Sequence, residues 1–372
     1  MRRVFLDSRL MRSVVLFGIC LSFGSLRGAL TSYPLPNLPS SLAAAPFVTA
    51  STLDGIAVMS YNAAFLGQLT IFSNNNDGTF TQSQLFTFDA IGFVAAGDYF
   101  YTGNQELAVI LSNASGNIQT YLNNGSGSFT HSFQPLSVSF SNGAACLATG
   151  SFSTTGKHDL AVANNRSNSI TFLIGNISGR FTAPYANLAL NGVPTGIANG
   201  QIFNTSGLDD IVVSYGTTNN IEVFENQGSG SFISRGVFSV GTNPIGIAVG
   251  DFNGDGKLDV AVACSNSNSV SVLINNGTTL QAAVSYSVGN APVSLVSVDL
   301  NGNGKLDLAV ANQGSSEIST LSGNGDGTFQ AAVNQSANSG PLNIVSGKLT
   351  TSSSTPFLCV SNVTGGTISV SN

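Results

Sequence analysis

The sequence predicts an all-β fold: a seven-bladed β-propeller with four antiparallel strands per blade and the last blade closed by the N-terminal strand. Three observations predict it. A unit of about fifty residues recurs seven times, each unit carries four strand signals, and the seventh unit ends one strand short while the start of the chain supplies one. Self-similarity at a fixed period marks a repeat architecture, and four-stranded units set around an axis leave only short, protected edges.

The period is read from two markers. One is a glycine turn before an apolar residue, at Asn76–Phe80, Gly125–Phe129, Ile177–Phe181, Gly228–Phe232, Asn276–Leu280 and Gly325–Phe329, at intervals of 49, 52, 51, 48 and 49 residues. The other is an aliphatic strand: Ile56–Met59, Leu107–Ile110, Leu160–Ala163, Ile211–Ser214, Val260–Ala263, Leu308–Ala311 and Leu358–Ser361. Unit five shows the whole pattern. Its strands are expected over Ile245–Val249, Leu258–Cys264, Ser269–Ile274 and Ala282–Val288, the third alternating apolar and polar as a half-buried strand does. The stretch Gly289–Pro292 then links to the next unit, where glycine and proline signal a connection. A solenoid is the alternative, but its repeats are usually shorter.

Unit seven stops at its third strand, Thr367–Val370, and Tyr33–Pro39 aligns with Ser285–Pro292, a fourth strand and its proline link. The N-terminal strand therefore closes the ring. Pro34 and Pro36 place it on the outer edge, where a missing N–H is tolerated.

Residues 1–29 differ from the rest. Arg2, Arg3, Arg9 and Arg12 precede an apolar run from Val14 to Leu26, the pattern of a secretory signal. The run is too short and glycine-broken for a membrane span, and no integral span is expected after cleavage. A retained anchor is the alternative. The expected domains are a signal peptide, 1–29, and a propeller, 30–372, with the protein secreted or on the cell surface. The leader holds five of the 12 basic and one of the 18 acidic residues, so the remainder carries a net charge of −10. Such a surface repels phosphate backbones and excludes a nucleic-acid partner. Cys146, Cys264 and Cys359 each sit in an apolar run and read as small buried hydrophobes. Nothing suggests assembly beyond a monomer.

The loop between strands one and two carries the chemistry. In unit five Asp251, Asn253, Asp255 and Asp259 stand at positions 1, 3, 5 and 9, with Gly256 at position 6 and the Lys257 carbonyl available at position 7. Hard cations such as calcium take six to eight oxygen ligands, and a tight loop needs glycine to turn between them. Unit six repeats the set as Asp299, Asn301, Asn303, Lys305 and Asp307, with fewer carboxylates and so weaker expected binding. In both, the lysine side chain is expected to point to solvent. An EF-hand is excluded, because position 12 is Val262 within a strand run. Units two, three and four keep fragments of the loop: Asp98 and Glu106, Ser151 and Asp159, and Asp209 and Asp210.

An Asp-x-Asn-x-Asp-Gly-x-x-Asp loop between two strands, in a fifty-residue repeat with Gly-x-Phe turns, resembles the FG-GAP/VCBS repeat, a family that includes the integrin α-subunit propeller. The resemblance spans residues 33–372 and implies a seven-bladed propeller whose calcium loops stiffen blades on one face. It does not fix the function, since propellers serve as binding platforms and as enzymes.

His131 and His158 are the only histidines and are expected to be solvated. No Gly-x-Ser-x-Gly elbow appears in a strand-to-helix setting. Trp is absent, leaving Tyr61, Tyr101, Tyr121 and Tyr215 as candidate sugar-stacking side chains. The expected function is a calcium-binding adhesion or binding module for a protein or glycan. Its contact loops are Asn164–Asn168, Tyr215–Asn220, Ser265–Asn268, Gln313–Ser316 and Gly241–Pro244, polar throughout and with Arg166 as their one charged residue. A carbohydrate-active lyase or hydrolase is the alternative and would need charged side chains clustered on the ring axis. A structural envelope component is the third.

Overall fold

The second strand of each unit is buried along most of its length: Gly55–Tyr61, Glu106–Leu111, Asp159–Asn164, Asp210–Tyr215, Asp259–Cys264, Asp307–Asn312 and Phe357–Asn362. Aliphatic runs of this length, buried on both faces, are strands sandwiched between neighbouring sheets. A computed structural model describes residues 30–371 apart from 49–52, 91, 101, 112–116, 133–135, 138–143, 155–157, 177–179, 182–185, 204–205 and 349–354. The predicted export segment and Tyr101 lie outside the described residues.

Each second strand pairs antiparallel with an inner strand and a third strand. The inner strands are Leu38–Ala45, Gly92–Gly97, Ala144–Gly150, Gly196–Gly200, Pro244–Gly250, Pro292–Val298 and Pro341–Gly347. Contacts run from each inner strand to the next and from Pro341–Gly347 back to Leu38–Ala45, so the sheets close into a ring of seven blades. A fourth strand covers each blade. In blade two it is split into Phe129–His131 and Leu136–Ser137, both paired with Asn117–Asn123. Blade three adds a short ribbon of Gly175–Asn176 with Arg180–Phe181.

Blade seven takes its fourth strand from the start of the chain, with Thr31 opposite Val370 and Pro34 opposite Thr367. Pro34 lies on an edge, as its missing N–H requires. The strand is Thr31–Pro34, ending earlier than the aligned stretch; Pro39 lies inside the first inner strand. It sits at a register shift between Pro39 and Ser41, and similar shifts follow Pro244, Pro292 and Pro341. Proline at a strand's start, beside a bulge, costs no ladder bond.

The apolar core is divided. Seven clusters each lie between two adjacent blades, among them Phe252, Val270, Leu308 and Phe329 between blades five and six, and Leu35, Val58, Phe80 and Cys359 between blades seven and one. Cys264 and Cys359 are buried and Cys146 half-buried, all three as free thiols. No α-helix occurs among the described residues, and none could cross a membrane.

Candidate metal centre and contact rims

One rim of the ring carries the loops between strands one and two and the turns between strands three and four. In blade five the loop winds around Asp251. One of its oxygens accepts the Gly254 and Asp255 N–H groups at 2.7 and 3.1 Å, and the other accepts Gly256 N–H at 2.8 Å. Gly254 and Gly256 have φ of 76° and 80°, a left-handed backbone that glycine adopts without strain. Asn253 Oδ1 accepts Asp255 N–H at 3.0 Å, and Asp255 Oδ1 accepts Lys257 N–H at 2.9 Å. Blade six repeats this around Asp299, which accepts Gly302, Asn303 and Gly304, while Asn301 and Asn303 accept Asn303 and Lys305 N–H. The predicted site residues are thus brought into one loop in each blade.

The lysine side chains reach the surface, and their stems cross the neighbouring turn on the way. Lys257 Nζ donates to Asp255 Oδ2 at 2.8 Å and holds that carboxyl below its ordinary range. Its stem crosses the Gly277 turn, where a Cβ would lie 2.9 Å from Lys257 Cε. Lys305 Nζ donates to the Asn324 carbonyl at 2.6 Å and lies over Gly325. Both side chains fold back onto the strand three-to-four turn because a glycine there leaves room for the stem.

Position 9 is different again. Asp259 is fully buried; its two oxygens accept Phe252 N–H at 2.8 Å and Asn275 N–H at 2.7 Å. Asp307 likewise accepts Leu300 and Gly323 N–H, plus the Asn301 amide. The same bracket persists where the rest of the loop has eroded. Asp210 accepts Phe203 and Asn226 N–H, Asp159 accepts Phe152 and Gly175 N–H, and Glu106 accepts Tyr99 N–H and the Thr102 hydroxyl. In blades three to six one buried carboxylate therefore ties the loop to the end of the third strand or the residues just after it, whereas in blade two Glu106 bonds within its own loop. Burial raises the pKa of Glu106, Asp159, Asp259 and Asp307; in Asp259 the nearby Asp255 and Asp251 add to the rise.

Asp159 shows the pH consequence. Desolvation pushes its carboxyl to about 6 against backbone bonds that lower it. A raised folded-state pKa contributes stability that is complete below the unfolded value and lost as pH rises through 6. In chelator, this group is expected to add about 1 kcal/mol to urea stability as pH falls from 7 to 5. Asp159→Asn should remove its share of that slope; an unchanged slope would sink the assignment.

A second recurring contact was not anticipated. An asparagine two residues beyond the core of strand three reaches the preceding blade. Asn275 donates to the carbonyls of Ile202 at 2.7 Å and Leu258 at 3.2 Å. Asn226 joins Phe152 and Asp209, Asn123 joins Phe47 and Gln105, and Asn74 joins Lys348 and Asp54. The periodic asparagine was visible in the sequence, but its direction across blades was not. The Gly-x-Phe turn also crosses: Phe329 meets Phe252 edge-on at 5.3 Å, and Gly327 N–H donates to the Phe252 carbonyl.

The remaining candidates take structural places. Asp209 accepts Ser151 N–H in blade three while Asp210 faces its own hairpin, so the adjacent pair points apart. His158 is not a solvated loop side chain: its Nδ1 accepts Asp98 N–H at 3.2 Å across the blade boundary. The His131 ring is half-buried against Tyr121 at 5.3 Å, not solvated. Tyr121 and Tyr215 are buried, the latter donating to Glu222 at 2.9 Å. Of the tyrosines considered for sugar stacking, Tyr61 is half-buried near the opposite rim.

That opposite rim carries the loops between strands two and three and the blade links. Asn168, Asn219, Asn268 and Ser316 each adopt positive φ there, between 48° and 56°. The axial channel offers about 530 Å³ lined by all seven inner strands, including Leu42, Val94, Leu147, Ile197, Ile247 and Leu295. Its lining includes no charged side chain among the described residues.

Seven four-stranded sheets around one axis define a β-propeller. Residues 203–262, 251–310 and 299–350 match the FG-GAP-like repeat family. These repeats, set in a ring of seven four-stranded blades, support an FG-GAP repeat propeller. Solved structures share the fold. BBS1N, crystallised in complex with ARL6DN, is 14% identical with a TM-score of 0.61, and 94% of each chain is covered. A protein from Lactobacillus plantarum is 12% identical with a TM-score of 0.63, covering 82% of this chain and 86% of that one. A functionally unknown protein from Desulfotomaculum acetoxidans is 13% identical with a TM-score of 0.53, covering 76% and 86%. No curated protein matches the chain.

Proposed function

We propose that this protein is an exported binding module, braced by calcium in blades five and six, that presents its strand two-to-three rim to a protein or glycan partner. The observation that carries the reading is the contrast between rim and axis. The rim holds polar loops set by left-handed Asn and Ser residues, with Arg166 their one charged side chain, whereas the described residues of the channel lining include none of the charged side chains a lyase or hydrolase would cluster there. BBS1N, a structure of the same fold, was crystallised with a protein partner, which supports a binding role.

Calcium suits the donor set. Asp251, Asn253 and Asp255 accept backbone N–H groups within one turn that leads to the Lys257 carbonyl, and Asp251 Oδ2 and both Asp255 oxygens accept one hydrogen bond each and so keep a lone pair. Among the described residues no three His, Cys, Asp or Glu side chains suffice alone to hold a metal; this set includes an amide and a carbonyl. A divalent ion there would offset the repulsion that Asp251 and Asp255 exert on Asp259.

Calcium is expected to raise the melting temperature, because a ligand that binds only the folded state stabilises it. Asp251→Ala should remove most of that rise. Asp98→Ala should leave it, since Asp98 accepts Thr102 N–H in a loop lacking the other donors. A melting temperature indifferent to chelator would defeat the calcium reading, and equal effects of the two variants would defeat its placement. A pull-down and glycan screen on the full chain tests the module itself.

A further inference from the structure

In blades three to seven the left-handed residue of the strand two-to-three loop is Asn168, Asn219, Asn268, Ser316 or Gly366, all small. In blade one it is Phe65, with φ of 58° and 63% of its surface exposed. A bulky side chain in this backbone region is strained, and its ring faces water. The fold does not require it, because blades three to seven make the turn with asparagine, serine or glycine. Local strain of this kind points to a function outside the fold.

The tip is also held rigidly. Asn62 Oδ1 accepts Ala64 and Leu66 N–H at 2.9 and 3.1 Å, and the Asn62 carbonyl accepts Phe65 N–H at 2.9 Å. Phe65 stacks parallel to Tyr61, with ring centroids 6.3 Å apart and planes 6° off parallel. Leu66 is 46% exposed beside it. Tyr61 lies opposite Leu38 in the sheet, next to the amides of Asn37 and Gln68, which bond each other at 2.8 Å. The exposed carboxylate Asp89 follows the outer strand of the same blade. Between residues 28 and 156 the sequence contains no Lys or Arg.

We infer that the blade-one tip is a binding site for a neutral glycan, with Phe65 and Tyr61 as the stacking platform and the neighbouring amides as hydroxyl partners. Aromatic rings with an apolar body suit the C–H face of a sugar ring, and side-chain amides both donate and accept toward hydroxyls. The lack of cations in blades one and two disfavours acidic sugars and phosphorylated ligands. A rigid tip lowers the ordering cost of binding. This inference rests on the binding-module reading and gives it a site and a ligand class.

The test is affinity electrophoresis of the full chain in gels containing hydroxyethylcellulose, mannan or amylopectin, with alginate and poly-lysine as charged comparisons. Wild type should be retarded by at least one neutral polysaccharide. Phe65→Gly, which relieves the backbone strain and so keeps the fold, should weaken that retardation about tenfold or more. Tyr61→Ala should do likewise, and Phe65→Trp should retain it. Retardation of wild type only by alginate or poly-lysine, or by none of the five, overturns the inference. Equal retardation of wild type and Phe65→Gly also overturns it, while leaving a binding module with its site elsewhere. A protein captured equally by both forms would likewise leave the module reading standing without this site.

Discussion

A chain lacking residues 30–36 is expected to lose the closed propeller. Those residues supply the fourth strand of blade seven and the clasp to blade one. Tyr33 packs edge-on against Phe72 and Phe80, its hydroxyl accepts Phe80 N–H at 3.1 Å, Leu35 is buried, and Leu35 N–H donates to the Gly366 carbonyl. Burying each large side chain is worth about 1.5–3 kcal/mol, and each hydrogen bond about 1 kcal/mol. Together that is on the order of 5 kcal/mol, comparable with the whole net stability of many domains. The deletion also bares the edge of Thr367–Val370, a template for pairing between chains. Size-exclusion chromatography and urea unfolding would read the result. A truncated chain that remains monomeric with an unchanged urea midpoint would show that the ring does not depend on this strand.

Asp259→Ala is expected to cost about 3–5 kcal/mol even in chelator, because it orphans two buried N–H groups at about 1–3 kcal/mol each and leaves a void. Asp255→Ala, whose carboxylate is exposed, should cost well under half as much under the same conditions. Urea denaturation without calcium separates the two. Equal midpoints would mean that the buried bracket contributes nothing beyond the metal loop. Asp210→Ala in blade four should behave like Asp259→Ala, since its carboxylate accepts equivalent N–H groups in a blade without the metal motif.

The ring was legible in the sequence because each blade writes its own copy of the pattern. Strand one of blade five is Pro244–Gly250 where Ile245–Val249 was expected, and strand two is Asp259–Cys264 where Leu258–Cys264 was expected. The missing strand of blade seven was found by the same repetition. What the sequence hid lies between blades. The reach of Asn275, Asn226 and Asn123 into the preceding blade has no local mark, because an amide that bonds across a boundary leaves the same signature in sequence as one that caps its own turn. The course of the lysine stems was hidden for a related reason: only the space left by Gly277 and Gly325 lets Lys257 and Lys305 cross the neighbouring turn. Phe65 looked like one more apolar residue, and only its backbone angle against the matching turns of other blades set it apart.

The buried carboxylate at the end of each loop has a consequence for how such proteins diversify. Since the bracket survives in blades three and four without the metal motif, the hairpin does not depend on the loop's full donor set. The calcium sites proposed for blades five and six would then be accessories that mutation can add or remove one blade at a time. Writing the Asp251–Asp255 pattern into the loop of blade four, ahead of Asp210, is the engineering test of that independence.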